Sequence, residues 1–158
     1  FSNHVVLIYD SLTPDEMRQL YNGCDIYIGP YIAEGFSLTH LEALFCKKKI
    51  ICPSTGGTYD YIDDILENST PETRLGDLIY RVPSNIAVLN PVTGHSMNEI
   101  LDKDILRVLD IAVKTHILES NRSYSTDFLT SNYTWNSAAK QLFKYFEIIL
   151  CLDTRTDS

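Results

Sequence analysis

Residues 5–66 alternate between short apolar runs and helix-length amphipathic stretches, and this alternation restricts the chain to few folds. The apolar runs are Val5–Tyr9, Asp25–Gly29 and Lys49–Cys52; the second and third are closed by Pro30 and Pro53. Runs of this length punctuated by proline are expected to be buried strands. Helices between successive strands require parallel pairing, and a parallel sheet needs cover on both faces. The expected fold is therefore α/β, a doubly wound Rossmann-like parallel sheet. Ligands in such sheets bind outside the carboxyl ends of the strands. The loops Asp10–Leu12, Pro30–Phe36 and Pro53–Gly57 are expected to share that rim.

Local signals set the helices. Thr13 can cap a helix that has Pro14 in its first turn and Asp15 and Glu16 at the positive end of its dipole. Met17, Leu20 and Tyr21 share one face, and Gly23 ends the pattern. A second helix runs from about Ser37 to Cys46 and should bury Leu38, Leu41 and Leu44 or Phe45. Lys47-Lys48-Lys49 reads as a solvated helix end. Gly56-Gly57 should turn into a short helix from Tyr59 to Leu66. Asn68–Gly76 reads as a surface loop, and Leu78–Val82 and Ile86–Leu89 as further strands. Helices follow from about Asn98 to Leu118 and from Thr134 to Leu150, with a shorter one between them. The last carries Trp135, Ala138, Ala139, Leu142, Phe143 and Phe146 on one face, with Trp135 read as a core anchor. One domain is expected over residues 1–151, followed by a disordered polar tail at 152–158.

Composition narrows the function. A length of 158 residues suits one core. A formal net charge of −8 disfavours nucleic acid as a partner, because phosphate backbones are held by clusters of Lys and Arg. No apolar run approaches the ~20 residues of a membrane helix. Cys24, Cys46, Cys52 and Cys151 lack CxxC spacing and read as buried free thiols of a reducing, cytoplasmic setting. The four histidines lack ligand spacing, so neither a zinc site nor any other metal site is expected. His40 reads as a packing or solvent-facing residue.

The stretch with chemical content is Pro30–Leu44, PYIAEGFSLTHLEAL. It combines a strand end, a glycine-containing loop and a helix starting at the ligand rim. Free N–H groups at that helix start, from about Ser37 to Thr39, form an anion site that needs no lysine. Gly35 lets backbone approach a ligand. Glu42, one turn into the helix, could accept hydrogen bonds from two neighbouring hydroxyls, as a ribose offers. Glu34, on the loop, could do the same for a hexose.

These residues resemble the retaining GT-B glycosyltransferases of the glycosyl transferases group 1 family. Glu34 and Glu42 have that family's Glu-x7-Glu spacing, and EGFSLTHLEAL is similar to its EGFGL-x-x-x-EAM stretch. SLTPDEMRQLYNGCDIYIGP, IICPSTGGTYDYI and NYTWNSAAKQLFKYF resemble further blocks in the same order, over about residues 1–66 and 130–148. The resemblance implies the C-terminal, donor-binding part of a GT-B fold, whose N-terminal acceptor domain and first donor-domain strands lie outside this chain. It implies a nucleotide diphosphate sugar as donor and retention at the anomeric carbon, with no cofactor and no metal. It also implies that the fragment alone is inactive, and that any peripheral membrane association runs through the missing domain. Glu42 would bind the donor ribose and Glu34, the candidate catalytic residue, the transferred sugar. Backbone of Gly35, Phe36 and Ser37 would lie nearby, Leu38 and Thr39 would hold the diphosphate, and Leu12 would flank the base. Ser37 replaces the family's usual glycine, which is tolerable if its φ is negative. Asp63–Asn85 reads as an insertion. The rivals are a phosphorylase or nucleotide-sugar epimerase on the same scaffold, and a non-catalytic nucleotide-sugar-binding module.

Overall fold

The first helix begins as its residues require. In a computed structural model that describes residues 5–31, 34–89, 92, 96–119 and 121–153, α1 spans Pro14–Gly23. Glu16 N–H donates to Thr13 Oγ1 at 3.3 Å and Thr13 N–H to the Glu16 carboxylate at 2.7 Å. This reciprocal box satisfies two donors that a helix start otherwise leaves open. Next come β1 (Ile26–Ile28), α2 (Leu38–Phe45), β2 (Lys49–Pro53), α3 (Tyr59–Glu67) and β3 (Ile79–Val82), with one 3-10 turn at Leu75–Leu78.

The three strands form a parallel sheet in the order β1-β2-β3, with Tyr27 opposite Ile50 and Ile51 opposite Tyr80. Central β2 is buried along its whole length. Its alternating side chains serve two cores, as a period of two requires. Ile50 and Cys52 join Tyr21, Leu41, Leu44, Tyr61 and Ile65 on one side. Ile51 joins Val82, Val108 and Ala112 of α4 (Asp102–Leu118) on the other. The fold is thus α/β with a parallel sheet covered on both faces, as the alternation predicts.

Several local expectations are corrected. Val5–Tyr9 forms no strand, and its apolar side chains are exposed. Apolarity signals burial only where a strand partner exists, and no described strand pairs with β1 on that side. Leu38 is 53% exposed, because the buried stripe of α2 runs through His40, Leu41, Ala43 and Leu44 and turns Leu38 to the face of Glu42 and Phe45. Lys49 is no solvated helix end: it is 3% exposed, and its ammonium donates to Tyr80 Oη at 2.8 Å and Glu119 Oε2 at 3.3 Å. Asp63–Asn85 is no mere insertion, since Ile65, Leu75, Leu78 and Val82 within it are core residues and β3 is the third strand. Ser96–Ile100, where a helix was expected to start, is β5, antiparallel to β4 (Ser84–Leu89). The helix is delayed to Asp102, where Asp102 and Asp104 suit its first turn.

Toward the end of the chain lie α5 (Asp127–Asn132) and α6 (Trp135–Asp153). Thr134 Oγ1 accepts from Ser137 N–H at 3.2 Å, the expected cap. Trp135, however, is 86% exposed, and Leu142 and Phe143 are exposed too, so this face anchors no core. Phe146 lies outside the described side chains. Helix α6 passes the expected domain end at 151, and residues 154–158 lie outside the described residues. Cys24 and Cys46 are only half-buried, whereas Cys52 is buried, its thiol pushed up to about 12 by burial; all three are free thiols. Cys151 lies outside the described side chains. Among the described residues no helix is long and apolar enough to cross a membrane.

Candidate functional site

The carboxyl rim of the sheet is stitched by backbone. Gly57 N–H donates to the Glu34 carbonyl at 3.0 Å, and Ser54 N–H to the Val82 carbonyl at 2.9 Å. A Cβ on Gly57 would fall 2.0 Å from the Gly35 carbonyl oxygen, so glycine alone permits this closure. Tyr31 Oη donates to Thr58 Oγ1 at 2.6 Å, tying the loop after β1 to the start of α3. Glu34 is exposed, its carbonyl engaged by Gly57 and its Oε1 accepting from Gly35 N–H at 3.1 Å. Phe36 is exposed in part, its ring 5.0 Å from that of Tyr61. Nothing lies within 4 Å of a Cβ built on Gly35, so its face is open to an incoming group.

Ser37 departs from expectation. Its φ is +56°, the left-handed region, so the condition that would have made serine an easy replacement for glycine does not hold. It is also buried, at 5% exposure, and its Oγ lies 2.6 Å from His40 Nδ1. The side chain is thus committed inward. It forms no cap on α2, which leaves the first-turn N–H groups of Leu38 and Thr39 without a side-chain acceptor. Leu38 and Thr39 are themselves exposed on that turn.

Glu42 faces a different surface. It lines a concavity of about 410 Å³ between α1 and α2, together with Leu12, Pro14, Met17, Tyr21 and Phe45. Tyr21 Oη donates to Glu42 Oε2 at 3.0 Å, and burial, then this hydrogen bond, push the phenol pKa up. A buried phenol thus fixes one carboxylate oxygen above a largely apolar floor that Arg18 also lines. The structure brings Leu12 and Glu42 together in this groove. Glu34, Gly35, Phe36, Leu38 and Thr39 sit on the adjoining rim and not among the groove's lining residues.

Tyr21 and His40 escaped the sequence reading as site residues. Tyr21 lies one helical turn after Met17 on the apolar face of α1, a pattern that predicts packing and does not announce a site residue. His40 lies three residues after Ser37, but Ser37 stands before the helix in a left-handed turn, so the spacing by itself does not announce their contact. No cluster of three or more metal-ligating side chains occurs among the described residues.

A parallel α/β sheet with a glycine-closed rim, beside a helix that begins there without a side-chain cap, defines a Rossmann-like domain. Residues 2–67 of this domain match the model of the family Glycosyl transferases group 1, so the resemblance carried by the Glu34–Glu42 stretch is to a family of sugar transferases. The match takes in α1, β1, α2, β2 and α3 with both glutamates, and ends before β3. No match to the chain was found among curated proteins or among solved structures.

Proposed function

We propose that this domain binds a nucleotide diphosphate sugar and serves a retaining, GT-B type transfer of the sugar to a hydroxyl acceptor. The observation that carries the reading is the placement of Glu42. Its carboxylate is held through one oxygen by Tyr21 over the largely apolar groove that Leu12 and Arg18 help to wall, a surface suited to a nucleoside whose vicinal hydroxyls meet the carboxylate. The diphosphate would lie at the uncapped start of α2, where the N–H groups of Leu38 and Thr39 and the helix dipole favour negative charge. The transferred sugar would lie against Glu34, with the backbone of Gly35, Phe36 and Ser37 beside it. Backbone donors that stabilise the leaving diphosphate make a divalent cation unnecessary. The acceptor side is supplied by sequence outside this chain, so the chain alone is expected not to turn over. Three free thiols support a reducing, cytoplasmic setting.

The test is steady-state kinetics of two variants in the intact enzyme. Ribose binding is felt equally by ground and transition states. Glu42→Gln should therefore raise the donor KM about tenfold with little change in kcat, roughly 1.5 kcal/mol of charge-assisted acceptance. Glu34→Gln should lower kcat with a smaller change in KM, because positive charge develops at the anomeric carbon. Wild-type kinetics in both variants would remove the site assignment. A swapped pattern would reverse the two roles.

A further inference from the structure

His40 is a polar ring in a place that asks for an apolar one. It is 1% exposed, with Tyr27 and Tyr31 packed edge-on against it at 5.0 and 5.5 Å between ring centroids. The chain makes room for it at the end of β1: a Cβ on Gly29 would fall 2.2 Å from the imidazole. Burial depresses its pKa, an effect that the nearby backbone of Ile51 and Gly29 and the charge of Glu34 offset only in part. Nε2 has no hydrogen-bond partner among the described residues. A leucine or methionine would fill the same space without burying an unsatisfied nitrogen. What an aliphatic side chain could not do is meet Ser37, whose Oγ lies 2.6 Å from Nδ1.

Ser37 is where the chain needs holding. It is the hinge between the loop that carries Glu34 and the first turn of α2, and it adopts a left-handed conformation that a serine occupies only when its surroundings impose it. Two further contacts converge on its carbonyl, from Tyr61 Oη at 3.2 Å and His40 N–H at 3.2 Å. Among the described residues, the imidazole alone is hydrogen-bonded to its side chain.

We propose that His40 is a positioning residue: its hydrogen bond with Ser37 holds the left-handed turn that a glycine would adopt unaided, and so sets Glu34 and the start of α2 in their mutual geometry. The consequence for catalysis rests on the donor reading above; the hydrogen bond and the turn do not.

A double-mutant cycle with His40→Met and Ser37→Gly tests this. The first readout, amide hydrogen exchange at residues 35–38, needs no ligand. His40→Met alone is expected to speed exchange there about tenfold, and the same change in the Ser37→Gly background less than about threefold, because glycine takes the left-handed turn without a latch. Equal acceleration in both backgrounds would reduce His40 to packing and overturn the proposal. Should His40→Met fail to fold, ring nitrogen NMR decides: Ser37→Gly must move the His40 Nδ1 resonance, and an unmoved resonance overturns the hydrogen bond. The second readout is kcat in the intact enzyme with UDP-glucose, GDP-mannose and ADP-glucose as probes. His40→Met should lower kcat more than it raises KM, and Ser37→Gly should restore most of the loss. Coupling in exchange without coupling in kcat would overturn the positioning role. A wild-type enzyme inert to all three probes would count against the donor reading, leaving exchange to decide on the latch.

Discussion

Glu42 owes its orientation to Tyr21, twenty-one positions earlier, and the pair illustrates what a single residue can and cannot announce. The carboxylate was legible because its spacing from Glu34 matches a family pattern and because an acid one turn into a rim helix has an evident use. The phenol was not, since a tyrosine on the apolar face of α1 is expected to pack, and Tyr21 does pack, at the edge of the core. Only the tertiary approach of Tyr21 on α1 to α2 brings its hydroxyl to the carboxylate. Tyr21→Phe keeps the ring and removes the donor. It should raise the donor KM roughly three- to tenfold at unchanged kcat, for about 1 kcal/mol of lost hydrogen bonding to a charged acceptor. A fall in kcat at constant KM would refute this division of labour. Ser37 and His40 carry the same lesson: their side-chain contact follows from the left-handed turn, which their residue types do not predict.

At the scale of elements, α1 is the case in which sequence sufficed, because Thr13, Pro14 and Glu16 complete a capping box within four residues. Strand β2 is the opposite case. Its first residue, Lys49, belongs to a basic run that reads as surface, yet the strand carries it inside, where Tyr80 and Glu119 receive its ammonium. Burial alone would lower the pKa of Lys49; the tyrosine and the glutamate outweigh it and leave it raised. Glu119, at the end of α4, also pairs with Arg122, so its loss would strand one cation in the interior and free the other toward solvent. Glu119→Ala is expected to destabilise the domain by about 3–5 kcal/mol, lowering Tm on the order of 10 °C. Lys49→Met combined with Glu119→Leu should recover most of that loss, because no buried charge is then left unpaired. Thermal melts of the three proteins check this; equal Tm for the single and double variants would show that the pair is not coupled.

For the molecule as a whole, the parallel order β1-β2-β3 places three turns on one rim, and the reaction proposed for that rim has a plain test. Backbone N–H groups at the start of α2 are assigned the work of an anion receptor, so sugar transfer by the intact enzyme should survive EDTA undiminished. Activity abolished by EDTA and restored by magnesium or manganese would point to a different site chemistry. The sequence by itself determined the α/β class, the starts of the first three helices and the central strand. These follow from periodicity, capping and spacing, which act over a few residues. Tertiary structure alone decided that Val5–Tyr9 would not join the sheet, that Lys49 and His40 would be buried, that Trp135 would be exposed, and that Glu42 would meet Tyr21. Each of these depends on which surface arrives opposite a residue, and so on contacts between distant parts of the chain that no local pattern encodes.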